Sequence, residues 1–146
     1  MEHHVKRMLA QSAVMELHAL YTDAVWRKDV AAFGDCFAED SQWRLSGVVL
    51  EGRPAIMKFM AGALCKYQRI LLTFRTPLLD LQENRLRSRT YVTEQSLLAD
   101  GTPYAPIGTY YERFAQEGGR LRFTWRLFMT EYVGPPDLSG QFFDTP

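Results

Sequence analysis

The 146-residue sequence predicts an α+β fold, a curved antiparallel sheet wrapped around three N-terminal helices with a hollow left between the layers. Three observations predict it. Apolar residues recur at helical spacing only as far as Leu64, apart from one short hairpin. Four long strand-like stretches follow, 69–82, 86–99, 104–116 and 121–133, divided by Glu83-Asn84, Asp100-Gly101 and Gly118-Gly119 turns. A chain of this length hides roughly 68–70% of its unfolded surface and needs no staples, so one domain is expected over 1–134.

A first helix is read from Val5 to Arg27. Val14, Leu17, His18, Tyr21 and Val25, with Met15, Thr22 and Trp26 beside them, take one broad side, while Glu16, Asp23 and Arg27 share the other, where Asp23 and Arg27 can form an exposed ion pair. Asp29 can cap a second helix carrying Ala32, Phe33, Cys36 and Phe37, closed by Glu39-Asp40. A strand at 42–45 turns at Gly47 into 48–50. Gly52-Arg53-Pro54 then starts a third helix with Ile56, Phe59, Met60 and Leu64, since proline in the first turn loses no hydrogen bond. The four long strands form a meander. After Gly134-Pro135-Pro136 the tail, 135–146, has no period but carries Leu138, Phe142 and Phe143, and is expected to pack over the cavity mouth or on a neighbouring subunit.

Seventeen basic and seventeen acidic side chains cancel, which argues against nucleic acid or an anionic membrane as partner. No apolar run spans a bilayer and no signal-peptide core follows Met1, so a cytoplasmic protein is expected. Cys36 and Cys65 lack paired spacing and read as reduced, packed thiols. His3 and His4 have no further ligand spacing, so no metal is expected, and no cofactor motif is present.

The spacing of Tyr21, Arg27-Lys28-Asp29, Phe37-Ala38-Glu39-Asp40, Trp43 and Gly52-Arg53-Pro54-Ala55-Ile56, followed by four long strands, resembles the nuclear transport factor 2-like superfamily, and within it the SnoaL-like relatives of scytalone dehydratase, over nearly the whole chain. The resemblance implies a cone-shaped, cystatin-like α+β barrel holding an apolar or aromatic molecule, and proton transfer by an Asp and His pair. At the positions matching that pair this chain has Trp26 and Leu72, and a second family histidine falls near Thr90. Ketosteroid isomerase, a more distant relative, has its oxyanion-binding tyrosine at the position of Tyr21, but its carboxylate base would fall near Leu45.

Strand alternation sorts the remaining candidates. On the second long strand Leu86, Ser88, Thr90, Val92, Glu94 and Ser96 share the inner face and the arginines the outer. On the last strand Leu121, Phe123, Trp125, Leu127, Met129 and Glu131 are read as inward, opposite Arg122, Arg126 and Phe128. Glu94 and Glu131 are thus candidate acids or bases, since desolvation raises a carboxyl toward neutrality, though rim carboxylates read the same way. Tyr21 and His18, three residues apart on one helix side, complete the proton-handling candidates, and both also suit a packed core. Trp26, Trp43, Leu72, Phe74, Thr90, Trp125 and Met129 are the candidate ligand-binding lining.

Tyr91, Tyr111 and Phe128 interrupt a basic outer sheet face, with Glu112 as an acidic neighbour. Since relatives pair through this sheet, a homodimer is expected. Three functions stay open: a cofactor-independent lyase, isomerase or cyclase acting on an apolar, ring-containing metabolite; a noncatalytic binder or accessory subunit, as in the β subunits of ring dioxygenases; and a dimerisation module whose hollow is filled by its own side chains.

Overall fold

A computed structural model describes residues 1–144. Helix α1 (Glu2–Trp26) starts earlier than its periodicity and buries Val14, Leu17, His18, Tyr21, Ala24 and Val25. Met15 and Trp26 lie about half exposed, so the buried stripe is narrower than expected. Asp23 and Arg27 form no ion pair among the described residues. Lys28 takes a left-handed φ of 55°, which turns the chain so that the Asp29 side chain accepts the Ala32 N–H at 3.0 Å.

That cap starts α2 (Val30–Gly34), which ends sooner than the sequence suggests. Phe37-Ala38-Glu39-Asp40 belong instead to β1 (Phe37–Leu45). The sheet takes the chain from the helix here, because the Cys36 carbonyl accepts the Phe123 N–H at 2.8 Å and Phe37 pairs with Phe123. Strand β2 (Val48–Glu51) turns back on β1, and α3 (Arg53–Leu64) follows with Pro54 in its first turn.

The remaining strands are β3 (Tyr67–Phe74), β4 (Leu78–Gln82), β5 (Arg85–Leu98), β6 (Pro103–Tyr104), β7 (Pro106–Glu117), β8 (Arg120–Val133) and β9 (Gln141–Phe142). They form one strongly curled sheet in the order β2-β1-β8-β7-β5-β3, a half-barrel against which the helices pack. The sheet is mixed, since β1 runs parallel to β8; the wholly antiparallel expectation is corrected there. The first long stretch is two strands on the same edge of β5, interrupted at Arg75–Pro77, where proline has no N–H to give a ladder. The tail returns through β9, which pairs with the end of β8 and sets Phe142 against Tyr132, ring centroids 4.7 Å apart.

Two irregularities in β8 decide which side chains face the helices. Arg113 pairs with Trp125 and Phe114 with Phe123, so Thr124 is one residue extra. Ile107 pairs with Tyr132 and Gly108 with Thr130, so Glu131 is a second extra residue. After Thr124 the alternation reverses. Arg126 is completely buried, and Phe128 and Thr130 line the interior. Trp125, Leu127 and Met129 take the outer face, and Glu131 is exposed. The inward reading of Trp125, Met129 and Glu131, and the outward reading of Arg126 and Phe128, are corrected for this reason.

The core joins Leu17, Tyr21 and Val25 of α1 to Phe33 and Cys36, to Trp43 of β1, to Ile56 and Met60 of α3 and to Phe123 of β8. Cys36 is buried as expected, whereas Cys65 is exposed rather than packed. Gly108 lets β7 and β8 close: a Cβ there would lie 2.6 Å from the Phe128 ring and press on the Met129 carbonyl. Gly108→Ala is expected to cost about 1–3 kcal/mol of overpacking, read as a lowered urea midpoint with an unchanged slope.

Candidate functional site

Between α1, α3 and the concave face of the sheet lies a cavity of about 310 Å³. Its inner end is closed by Tyr21 of α1 and Tyr110 of β7, both almost fully buried. Trp43, Phe59 and Phe128 flank it, and Ile70, Leu72 and Val92 supply the aliphatic wall. Its outer end meets the partly buried rings of Tyr67 and Tyr104, whose centroids are 6.5 Å apart and which also face a surface depression beside Cys65 and Asp100. Among the described residues that line the cavity, Glu94 is the one carboxylate, and no lysine, arginine or histidine joins it.

The uninterrupted alternation of β5 brings Glu94 inward, opposite Leu72 of β3. On its other side β5 passes from pairing with β7, at Thr93 and Ile107, to pairing with β6, at Ser96 and Tyr104, so Glu94 stands beside a seam in the sheet. The Ser96 hydroxyl donates to Glu94 Oε2 at 2.9 Å, and Oε1 makes no hydrogen bond among the described residues. Burial pushes the Glu94 carboxyl up from an ordinary 4.5 to about 7, with the Ser96 hydrogen bond pulling the other way. Tyr67 and Tyr104 are raised too, first by burial and then by the Glu94 charge. Near neutral pH this group can both give and take a proton.

Behind the inner end lies a buried charge cluster. Glu112 Oε2 accepts from Arg126 Nε at 2.6 Å, and Oε1 lies 2.6 Å from His18 Nε2 and accepts from the Ser88 hydroxyl at 3.2 Å. Burial alone would raise the Glu112 carboxyl, but Arg126 and His18 outweigh it and hold it below its ordinary value. The guanidinium carbon of Arg126 sits 3.7 Å from the Tyr110 ring centroid, 4.1 Å from that of Phe123 and 4.2 Å from that of Tyr21. Its two terminal nitrogens are buried and unpaired among the described residues. Burial raises the Tyr21 and Tyr110 hydroxyls, so both stay neutral donors beside a fixed positive charge.

Of the candidate residues, Tyr21, Glu94, Trp43 and Leu72 line the cavity. His18 does not; it stacks on Phe74 at 4.4 Å and has a partner, Glu112, that pattern reading placed on the outer face. Trp26 and Phe74 face a separate surface groove between α1 and the β3–β4 junction, and the Trp26 indole donates to the Leu72 carbonyl at 2.8 Å. Thr90 is fully buried and does not line this cavity. Trp125 is covered by the Arg113 guanidinium at 4.6 Å, and it, Met129 and Glu131 point away from the cavity. Sequence reasoning missed Tyr67, Tyr104, Tyr110, Phe128, Glu112 and Arg126. Alternation along 106–116 would have put Tyr110 and Glu112 on one face; nothing in the sequence marks the extra residue that turns Arg126 inward.

A family model described as SnoaL-like domain matches residues 6–127. No protein of curated function matches the sequence. Among solved structures, a hexachlorocyclohexane dehydrochlorinase, LinA type 2, superposes with a TM-score of 0.81 at 15% identity, over 97% of this chain and 97% of its own. A provisionally named scytalone dehydratase from Novosphingobium aromaticivorans gives 0.81 at 14% identity, covering 88% of each chain. ActVI-ORFA from Streptomyces coelicolor gives 0.71 at 16% identity, over 82% of this chain and 96% of its own. At these identities the likeness is one of fold.

The partly buried Glu94 and the fully buried Glu112 predict opposite pH behaviour. Glu94 is raised on folding, so its contribution to stability is full below about 4.5 and is lost as pH rises through about 7. Glu94→Gln is expected to remove that decline, leaving the variant at least as stable as the parent at pH 8, measured by Tm across pH 4–9. Glu112 is lowered on folding, so its contribution is present at neutral pH and is lost on acidification through its folded value. Glu112→Gln leaves the buried Arg126 charge uncompensated and is expected to cost about 3–5 kcal/mol at pH 7 by urea unfolding.

Proposed function

The chain belongs to the SnoaL-like domain family, and we propose that its cavity binds an apolar, ring-containing small molecule on which Glu94 moves a proton, without a cofactor, in a lyase, isomerase or cyclase reaction. The observation that carries this reading is the lone carboxyl of Glu94, facing an aromatic-walled cavity with one oxygen held by Ser96 and the other open. Aromatic faces favour a flat ligand through stacking and burial. Tyr21 and Tyr110, with the Arg126 charge behind them, supply donors at the opposite end for an oxygen that gains negative charge during the reaction. The base and the donors thus face one enclosed volume from two sides.

A second reading, a noncatalytic binder, draws support from Trp26 and Leu72 at the positions where the resemblance places the acid and the imidazole. The outer sheet face presents Tyr91, Trp125, Leu127 and Met129 among arginines, and the proposal includes a homodimer formed there. The free thiols Cys36 and Cys65 support a reducing, cytoplasmic setting.

Native mass spectrometry of protein taken from its producing cell is expected to show one bound molecule per chain, which identifies the substrate class. On that compound Glu94→Gln is expected to lower kcat/KM by about 10²–10⁴ without lowering Tm. Tyr21→Phe is expected to lower it by a smaller factor. Unchanged turnover in Glu94→Gln would remove Glu94 from the reaction, and a bound molecule that the protein leaves unaltered would favour the binder.

A further inference from the structure

We propose that the ligand carries an amine, seated as an ammonium between the Glu94 carboxylate and the rings of Tyr67 and Tyr104, with its ring system in the aromatic body of the cavity. The inference rests on the reading of the cavity as the ligand site and names the ligand's class.

The charge inventory points to it. Among the described residues, the lining offers one anion and no cation, so an acidic ligand finds no counter-ion and meets Glu94 as a like charge. A neutral ligand leaves the charge of an ionised Glu94 unmatched, and Oε1 makes no hydrogen bond among the described residues. An ammonium supplies what Oε1 lacks, a charge-assisted hydrogen bond to an ionised carboxylate. Tyr67 and Tyr104 reinforce the choice, since both line the cavity with Glu94 and aromatic faces attract cations within about 6 Å of a ring centroid.

The orientation is fixed by the other end. Arg126 already occupies the faces of Tyr21 and Tyr110, at 4.2 and 3.7 Å, so a second cation there is repelled. The amine therefore belongs outward at Glu94 and the uncharged part of the ligand inward.

Three probes of matched shape test this by calorimetry at pH 8, where Glu94 is ionised: 2-phenylethylamine, 2-phenylethanol and 3-phenylpropanoate. The amine is expected to bind the full-length protein at least about tenfold more tightly than the alcohol, and the carboxylate most weakly of all. Glu94→Gln is expected to abolish the preference for the amine over the alcohol. Tyr104→Leu is expected to weaken the amine more than the alcohol. If the alcohol binds as tightly as the amine and Glu94→Gln changes neither, the amine proposal is overturned and the cavity reading stands. Failure of all three probes to bind would sink both.

Discussion

One residue too many in β8 governs the interior. Because Thr124 has no partner on β7, every side chain from Arg126 to Thr130 faces opposite to where unbroken alternation would put it. Without that bulge, Trp125, Leu127 and Met129 would fill the concave face and Arg126 would join the outer arginines. The cavity would be smaller and lined by aliphatic and indole groups. With it, Phe128 and Thr130 shape the cavity wall, and the guanidinium of Arg126 stands directly across from Glu112 in the ladder.

The charge cluster is the second consequence. Burying Arg126, Glu112 and His18 is costly, and mutual attraction offsets the cost only where hydrogen bonds are short and nearly complete. Here the carboxylate takes three of them, from α1, β5 and β8, so one side chain of β7 ties together the long helix and the centre of the sheet. The arginine is less well served. Its terminal nitrogens make no hydrogen bond among the described residues and its guanidinium lies against the rings of Tyr21, Tyr110 and Phe123, which keeps a partly uncompensated positive charge behind the cavity's inner wall. The cluster therefore acts on the cavity through the electric field and through the tyrosines it orients, without touching it.

What was legible followed from regular backbone. The first and third helices, the order of the four long strands and the inner face of β5 could be read because periodicity there runs unbroken, and Glu94 was located on that ground alone. Proline at 77 and the short α2 were harder, since Phe33, Cys36 and Phe37 satisfy a helical period and are equally buried when the chain leaves the helix at Gly34. The face of β8 was not legible. A bulge is a long-range agreement between two strands, and neither Thr124 nor Glu131 carries a local sign of it. His18 could not be assigned a partner until Glu112 was known to face inward from a strand 94 residues away in sequence.

The placement of Glu94 bears on the missing acid and imidazole. Leu72, where the resemblance would put the histidine, is the register partner of Glu94 across the β3–β5 ladder. Directly paired side chains on one face of a sheet stand about 4.5–5.5 Å apart at Cβ. The cavity wall thus carries a titratable group one strand away from Leu72, a carboxyl that burial raises toward neutrality. Trp26, where the resemblance would put the acid, lies half exposed and donates its indole N–H to the Leu72 carbonyl. Under the proposed function one carboxyl, with the Ser96 hydroxyl that holds it, would both take up and return the proton.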